Sequence, residues 1–296
     1  MTAPAFTVLL SAYNGAEHIA QQLDSILNQT LPPREIIVRD DGSRDETLSI
    51  LREYETAGKI RLLAGENVGF LKSFRLLLEA APEDGYFAFS DQDDLWLPDK
   101  LSRAAAFFGK GDPDLPRLYH GAYRDGDAEL KPLKEHLPPN PPFDFRRCLT
   151  ENVLSGFALA GNGALRKHLL SRSWDNIDFH DWLAGALALG VGELYLDPEI
   201  TAIHRRLTTS VTRDARTKGL RWALSALKQD TNMKKRNLAL WDFCGEALPP
   251  DRRALLSLFC RFDPAARLKK AFYPARWRYG LPDEIAVRLA MLRGTL

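Results

Sequence analysis

Cysteine is scarce, with three in 296 residues, at positions 148, 244 and 260. An odd number so widely spread suggests neither a disulfide framework nor a zinc site, and a reducing compartment is the simpler expectation. Long apolar runs are missing too. The longest uncharged candidate, "WLAGALALGVG" from Trp182, is short, rich in glycine and closed by Asp181 and Glu193, so no spanning helix is expected. No GxGxxG or GKS/T follows a strand-like run, which argues against dinucleotide enzymes and P-loop NTPases. Thr2 and Pro4 lead straight into "FTVLL", so no signal peptide is expected. There is no internal repeat, no low-complexity segment and no recognisable nucleic-acid module.

What is present is an ordinary globular composition, 45% apolar and 27% charged. The net charge of +1 hides an asymmetry. Residues 211–296 carry 18 Lys/Arg against 8 Asp/Glu, or +10, and the first 210 carry 22 against 31, or −9. The length suits one large domain plus an appendage, placed at 1–212 and 213–296.

The front half alternates. "FTVLLSAY" and "EIIVRDD" are short apolar runs ending in turn chemistry, and between them Ile19, Leu23, Ile26 and Leu27 share one helical face. A helix over 44–57, the strand "KIRLLAG", the helix "GFLKSFRLLLEAA" and the strand "YFAFSD" continue the rhythm. Repeated βα units predict a mostly parallel sheet flanked by helices. Residues 111–147, with "HLPPNPPF", are expected to form a long surface excursion. Asn162 is a candidate N-cap, and "GELYLDPEITAIHRR" is expected to form two short strands around Asp197-Pro198.

Three predicted strand ends carry polar residues: "SAYN" (11–14), "RDDGS" (39–43) and "SDQDD" (90–94). Ligands of open α/β sheets bind beyond such ends. Asp-Gly is also plain turn chemistry, and Ser and Asp also start helices, so either motif alone has an ordinary structural explanation. Capping needs one acid, however, whereas Asp91 and Asp93 form a D-x-D pair. Two carboxylates that close raise each other's pKa unless a cation lies between them. Oxygen-only ligation shared with phosphate oxygens is what Mg²⁺ or Mn²⁺ prefers.

Together, "VLLSAYNGAEHIAQQLDSILNQT", "IIVRDDGSRDET", "NVGFLKSF", "FSDQDDLWLPDKL" and "HDWLA" resemble an inverting family 2 glycosyltransferase of GT-A fold over roughly residues 5–212. "SDQDDxW" is similar to the branch containing many bacterial rhamnosyltransferases. The resemblance implies a Rossmann-like sheet with a helical C-terminal extension. It also implies sugar transfer from a nucleotide diphosphate, dTDP-rhamnose or a UDP-sugar, to a cell-surface glycan or lipid-linked acceptor.

The implied roles are specific. Ser11 and Tyr13 lie at the base and ribose end, Asp41 receives the base N3–H, and Asp40 supports that pocket. Lys72 approaches the diphosphate or is a solvated helix lysine. Asp91 and Asp93 are the D-x-D, with Asp93 the direct ligand of Mg²⁺ or Mn²⁺. Asp181 in "HDW" is the base position, or else a helix cap. Members of the branch commonly read "YRxHxxN" after the last strands, where this chain has "IHRRLTTSVT". If Arg205 matches the family arginine, Leu207 replaces the histidine; His204 is the remaining candidate ligand.

Two other classes compete. A sugar nucleotidyltransferase would bring a glycine- and basic-rich loop after the first strand, which "SAYNGAEH" lacks. A non-catalytic scaffold would have no reason to keep Asp40, Asp41, Asp91, Asp93 and Asp181. In the tail, "LRWALSALKQ" and "ARLKKAFYPARWRYG" interleave aromatic and basic residues as interfacial helices do near anionic lipid, or as a basic cap would. A cytoplasmic protein, peripheral at the inner membrane face, is expected.

Overall fold

The computed structural model describes residues 5–206 and 232–296, which fall into two compact units. The first comprises residues up to 139, 154–171 and 192–208; the second comprises 140–153, 172–191 and 209–296. The division is therefore not a single cut near 212, because two earlier segments join the C-terminal helices.

In the first unit, β1 (Phe6–Ala12), β2 (Glu35–Asp40), β3 (Arg61–Ala64) and β4 (Tyr86–Ser90) form the parallel half of a nine-stranded sheet. Its order begins β3-β2-β1-β4, with Leu9 beside Ile37 and Phe89 in the β1 register. The crossovers are α1 (Ile19–Leu27), α2 (Thr47–Thr56) and α3 (Phe70–Ala80). Val8, Leu10, Ile19, Leu23, Ile36, Val38 and Leu51 form one fully buried cluster, as the short apolar runs require. Beyond β4 the sheet is mixed. β5 (Leu95–Trp96), α4 (Lys100–Phe108), β6 (Arg117–Gly126), β7 (Pro132–His136), β8 (Leu159–Asn162) and β9 (Glu193–Arg205) continue it as β4-β8-β6-β9-β5, with β7 on β6.

Two expectations fail here. Residues 111–147 do not form a mere surface excursion, because β6 is a ten-residue, mostly buried strand in the middle of the sheet. Its charged residues concealed it. Arg117 is buried with Glu193 at 2.7 Å and the carbonyls of Phe107 and Phe108 at 3.1 and 3.0 Å, while His120 accepts from the Ser155 N–H at 3.2 Å. Nor do two strands flank Asp197-Pro198. β9 runs through as one strand with a register shift at Gly121/Ala122, where buried Asp197 accepts from Arg103 and Tyr119. Asn162 does cap its helix, α6 (Gly163–Leu169), accepting from the Leu165 N–H after α5 (Phe145–Cys148) has passed in the second unit.

The second unit also holds α7 (His180–Val191), α8 (Met233–Cys244), α9 (Pro250–Phe259), α10 (Pro264–Ala271) and α11 (Leu281–Arg293). "LRWALSALKQ" lies outside the described residues. "ARLKKAFYPARWRYG" is not one amphipathic helix: α10 stops at Ala271, and Trp277 is fully buried, donating to the Lys270 carbonyl at 2.9 Å. Among the described residues no helix is long and apolar enough to cross a membrane.

Candidate active site

The three polar strand ends meet at the carboxyl edge of β2-β1-β4, as the topology demands. Their loops are stitched together. Asn14 stands in a left-handed conformation, φ 50°, its N–H donating to Ser43 Oγ at 2.9 Å while its Oδ1 accepts from the Arg44 N–H at 2.8 Å. Gly42, at φ 78°, makes the Asp-Gly turn, and a Cβ there would stand 2.9 Å from the Asn67 nitrogen. The turn explanation for "DDGS" is thus true of its glycine, without accounting for its acids.

Asp41 is the most heavily bonded of those acids. It is buried, takes the Arg39 guanidinium at 2.5 Å, and accepts the N–H groups of Val68 and Gly69 at 3.0 and 2.9 Å. A carboxylate has about four acceptor sites, so one direction stays open. Asp40 accepts from the Ser43 N–H through Oδ2 at 3.2 Å, while its Oδ1 is buried with no hydrogen-bond partner. Ser11 lies between β1 and α3, its hydroxyl 2.6 Å from that of buried Ser73. The Tyr13 ring is exposed, and Lys72 is exposed in the first turn of α3.

The loop after β4 does not cap a helix. Asp99 occupies the N-cap of α4, and β5 separates it from the acids. Two clamps hold the loop. Gln92, the middle residue of D-Q-D, accepts the Tyr13 N–H at 2.7 Å and donates to the Tyr13 carbonyl at 3.1 Å. A Cβ at Gly15 would come within 2.3 Å of that amide. From the other side, buried Arg205 donates through Nε to the Asp93 carbonyl at 3.1 Å, through Nη2 to Gln21 at 2.5 Å, and through Nη1 to the Ala128 carbonyl.

Burial weighs on the acids of this loop. Burial pushes the Asp93 carboxyl above its usual range, against the opposing charges of His18 and Arg205. Asp94 goes well above it, first through burial and then through the charges of Asp91 and Asp93. Both Asp94 oxygens are buried without a hydrogen-bond partner; the Arg205 amide faces them and favours the charge without reaching bonding geometry. The answering cation is Lys100, itself buried, its Nζ 4.9 Å from the centre of the Trp96 ring and its pKa lowered to about 7 by burial against the pull of Asp94. Sequence reasoning missed Gln92 and Lys100. The signal for both lay in plain view, an amide between two acids and the first base after them.

His204 does not join Asp91 and Asp93. Among the described residues no three His, Cys, Asp or Glu side chains converge as a metal cage. Neighbours on an extended strand point to opposite faces, so where Arg205 reaches the Asp93 carbonyl, His204 turns away. Its Nδ1 lies 3.3 Å from Asp125, which His136 also contacts at 2.9 Å, and its ring stacks on Phe157. Burial lowers its pKa to about 4. Leu207 lies outside the described residues.

In the second unit Asp181 sits in the first turn of α7. Its Oδ1 accepts the Asn152 amide at 3.0 Å and the Trp182 N–H at 2.6 Å, and burial, outweighing both, raises its pKa to about 6. Trp182 anchors the helix start by donating to the Cys148 carbonyl at 2.8 Å. His180 is buried, and that burial lowers its pKa to about 3, so it is a neutral packing residue.

A mixed α/β sheet with acids on its carboxyl edge is consistent with ligand binding beyond the strand ends, and known proteins narrow the class. Residues 7–174 match the model for glycosyl transferase family 2, and the chain belongs to that family. It is 36% identical over 111 residues to an uncharacterized glycosyltransferase of Haemophilus influenzae, taking in 37% of this chain and 34% of that one. Over 106 residues it is 36% identical to TuaG of Bacillus subtilis, named as a candidate teichuronic acid biosynthesis glycosyltransferase, with 35% of this chain and 42% of TuaG covered. The chain thus spans under half the length of these relatives. The crystal structure of S. aureus TarS 1–349 superposes with a TM-score of 0.54 at 19% identity, covering 98% of this chain and 91% of that one. TarS has also been solved with UDP-GlcNAc. The fold is GT-A.

Proposed function

We propose that this protein is a cation-dependent inverting glycosyltransferase that moves a hexose from a pyrimidine nucleotide diphosphate to a hydroxyl of a cell-surface polysaccharide or lipid-linked glycan. One observation carries the reading: the Asp91–Asp94 loop gathers three carboxylates, of which Asp93 and Asp94 are held above the usual carboxylate range by burial and Asp94 has both oxygens buried without a hydrogen-bond partner. Such a cluster suits Mg²⁺ or Mn²⁺, held by Asp93 and Asp91 together with the donor's phosphates. When bound, the cation would neutralise charge on the leaving diphosphate.

The chain's own residues supply the rest. Asp41, with one acceptor direction open, suits the single N–H that uracil or thymine offers between two carbonyls, and Asp40, whose Oδ1 is buried without a hydrogen-bond partner, would support the same pocket. Ser11 and Tyr13 border the ribose. Lys72, exposed, suits the diphosphate. Asp181 takes the proton of the acceptor hydroxyl as that oxygen attacks the anomeric carbon; a pKa of about 6 keeps it mostly ionised at neutral pH yet basic enough to accept. The donor sugar proposed first is L-rhamnose, from the likeness of "SDQDDLW" to the rhamnosyltransferase branch. UDP-sugars stand beside it, since TarS was solved with UDP-GlcNAc. The name of TuaG supports a place in polysaccharide assembly, at the cytoplasmic face of a membrane.

A thermal-shift screen of nucleotide sugars with and without Mn²⁺ tests this. Stabilisation by dTDP- or UDP-sugars that needs the cation supports it. Equal stabilisation by purine nucleotides, or none by any, refutes it.

A further inference from the structure

The second unit ends in an antiparallel pair, α10 and α11, whose inner contacts are fixed. Glu284 is buried, accepting the N–H groups of Trp277 and Arg278 at 2.8 and 2.9 Å. Arg288 donates to the carbonyls of Ala271 and Tyr273 at 2.8 and 2.9 Å, and Lys270 to that of Leu296 at 3.0 Å. Val287, Ala290 and Met291 are buried beneath the helix. The outer face of α11 is therefore the face of a well-seated helix.

That face is apolar. Leu281, Ile285, Leu289 and Leu292 are 54, 53, 44 and 41% exposed. At 100° per residue they share one arc of about 80°. On α10 and just past it, Leu268 and Phe272 are 52 and 73% exposed. Scattered exposed leucines need no explanation, but a stripe along a whole helix does. The surrounding charge is mostly positive. From Pro264 to Leu296 the sequence holds seven Lys/Arg and two acids, one of them the buried Glu284, and Lys269, Arg276 and Arg293 are exposed. A second copy of this face would bring like charges together, whereas an anionic lipid surface complements them while its acyl boundary takes the leucines.

We infer that α11, flanked by α10, is a membrane-docking face that lies in the interface of an anionic bilayer. This rests on the proposed function only in giving the docking a purpose, the delivery of the enzyme to a lipid-linked acceptor. It also relocates the lipid contact from the aromatic-basic segments that the sequence pointed to onto a helix that it did not.

Flotation of the full chain tests it, with vesicles of phosphatidylcholine alone and of phosphatidylcholine mixed with phosphatidylglycerol. The chain should float with the anionic vesicles, less so at high salt. Ile285→Asp with Leu289→Asp should lower the bound fraction at least ~10-fold. Ile285→Ser with Leu289→Ser should lower it less, with an unchanged melting temperature showing that the fold is intact. No flotation with anionic vesicles overturns the inference, as does flotation that both double variants retain. A concentration-dependent dimer in light scattering that the same variants abolish overturns it in favour of a second copy. Nucleotide binding measured without vesicles is a separate readout, so failure here and failure of the transferase reading cannot be confused.

Discussion

Two acidic motifs end neighbouring strands of one sheet, and the chain treats them in opposite ways. After β2, Asp41 is answered by Arg39 and by two backbone N–H groups, so its charge is settled within the protein. After β4, Asp94 is buried with no hydrogen-bond partner and faces buried Lys100, while burial holds Asp93 above the usual carboxylate range against the charges of His18 and Arg205. Both motifs are Asp-rich turns in sequence. The difference teaches that an acid's role follows from whether its counter-charge is built in. A compensated carboxylate organises a loop and offers one directed acceptor. A cluster of close, buried carboxylates is the kind of site that a cation suits.

The largest effect should come from removing a charge of the acidic loop after β4. Asp93→Asn should cut transfer by ~10³-fold or more, in line with several kcal/mol of leaving-group stabilisation. It should also abolish the Mn²⁺ dependence of nucleotide affinity in calorimetry. Retained cation dependence would erase the contrast between the two loops. Asp41→Asn should fail differently. It strands the buried Arg39, a loss of about 3 kcal/mol or more, visible as a lower melting temperature with or without cation. If instead the fold is unmoved and only pyrimidine binding weakens, Arg39 is not the partner that matters.

Much of this was legible in the sequence, and the gaps have physical causes. β1, β2 and β4 were readable because buried parallel strands are continuous apolar runs. β6 was not, because Arg117, His120, Arg124 and Asp125 break the run, and their burial is tolerated only through partners on other elements, such as Glu193. The acids at the strand ends were found as residues, but no pattern reveals that Asp41 is hydrogen-bonded within the protein and Asp94 is not. That depends on the Val68 and Gly69 amides, which belong to a distant loop. The direction of His204 was likewise fixed by strand alternation, which an uncertain register could not supply.

Asp181→Asn is expected next in size, with at least ~10²-fold loss of transfer and nucleotide affinity intact. Its pH dependence sharpens the case. The carboxyl, raised by burial to about 6, must be ionised to act, so the rate of the unmodified enzyme should climb as pH rises through about 6 and then level off. Stability runs the other way. The folded chain holds this proton more tightly than the unfolded one, so stability is greatest below the ordinary value of 3.8 and declines as pH rises to about 6. Asparagine removes that cost, and the variant should be more stable at pH 7.5 by up to about 3 kcal/mol, with the gap closing toward pH 4. A variant that is neither slower nor more stable would leave Asp181 as an ordinary first-turn acid.

The smallest effect concerns the link between the two loops. Gln92 joins the D-x-D to the segment after β1 through both backbone groups of Tyr13, and Gly15 leaves room for it. Only an amide of this length can accept from Tyr13 N–H and donate to Tyr13 C=O at once. Gln92→Ala removes two bonds worth about 1 kcal/mol each net, so part of the loop's order must then be supplied by the ligand. Nucleotide affinity in the presence of Mn²⁺ should fall by ~10-fold, equivalent to about 1.4 kcal/mol, while affinity for the free nucleoside, which does not need the cation, should change little. Gln92→Glu keeps the acceptor but loses the donor and adds a fourth negative charge. It should weaken nucleotide binding without cation more than with it, because the cation offsets the added charge. A purely structural glutamine would lower the melting temperature in both variants and leave these ratios unmoved, and that result would remove Gln92 from any account of how the base pocket and the acidic loop work together.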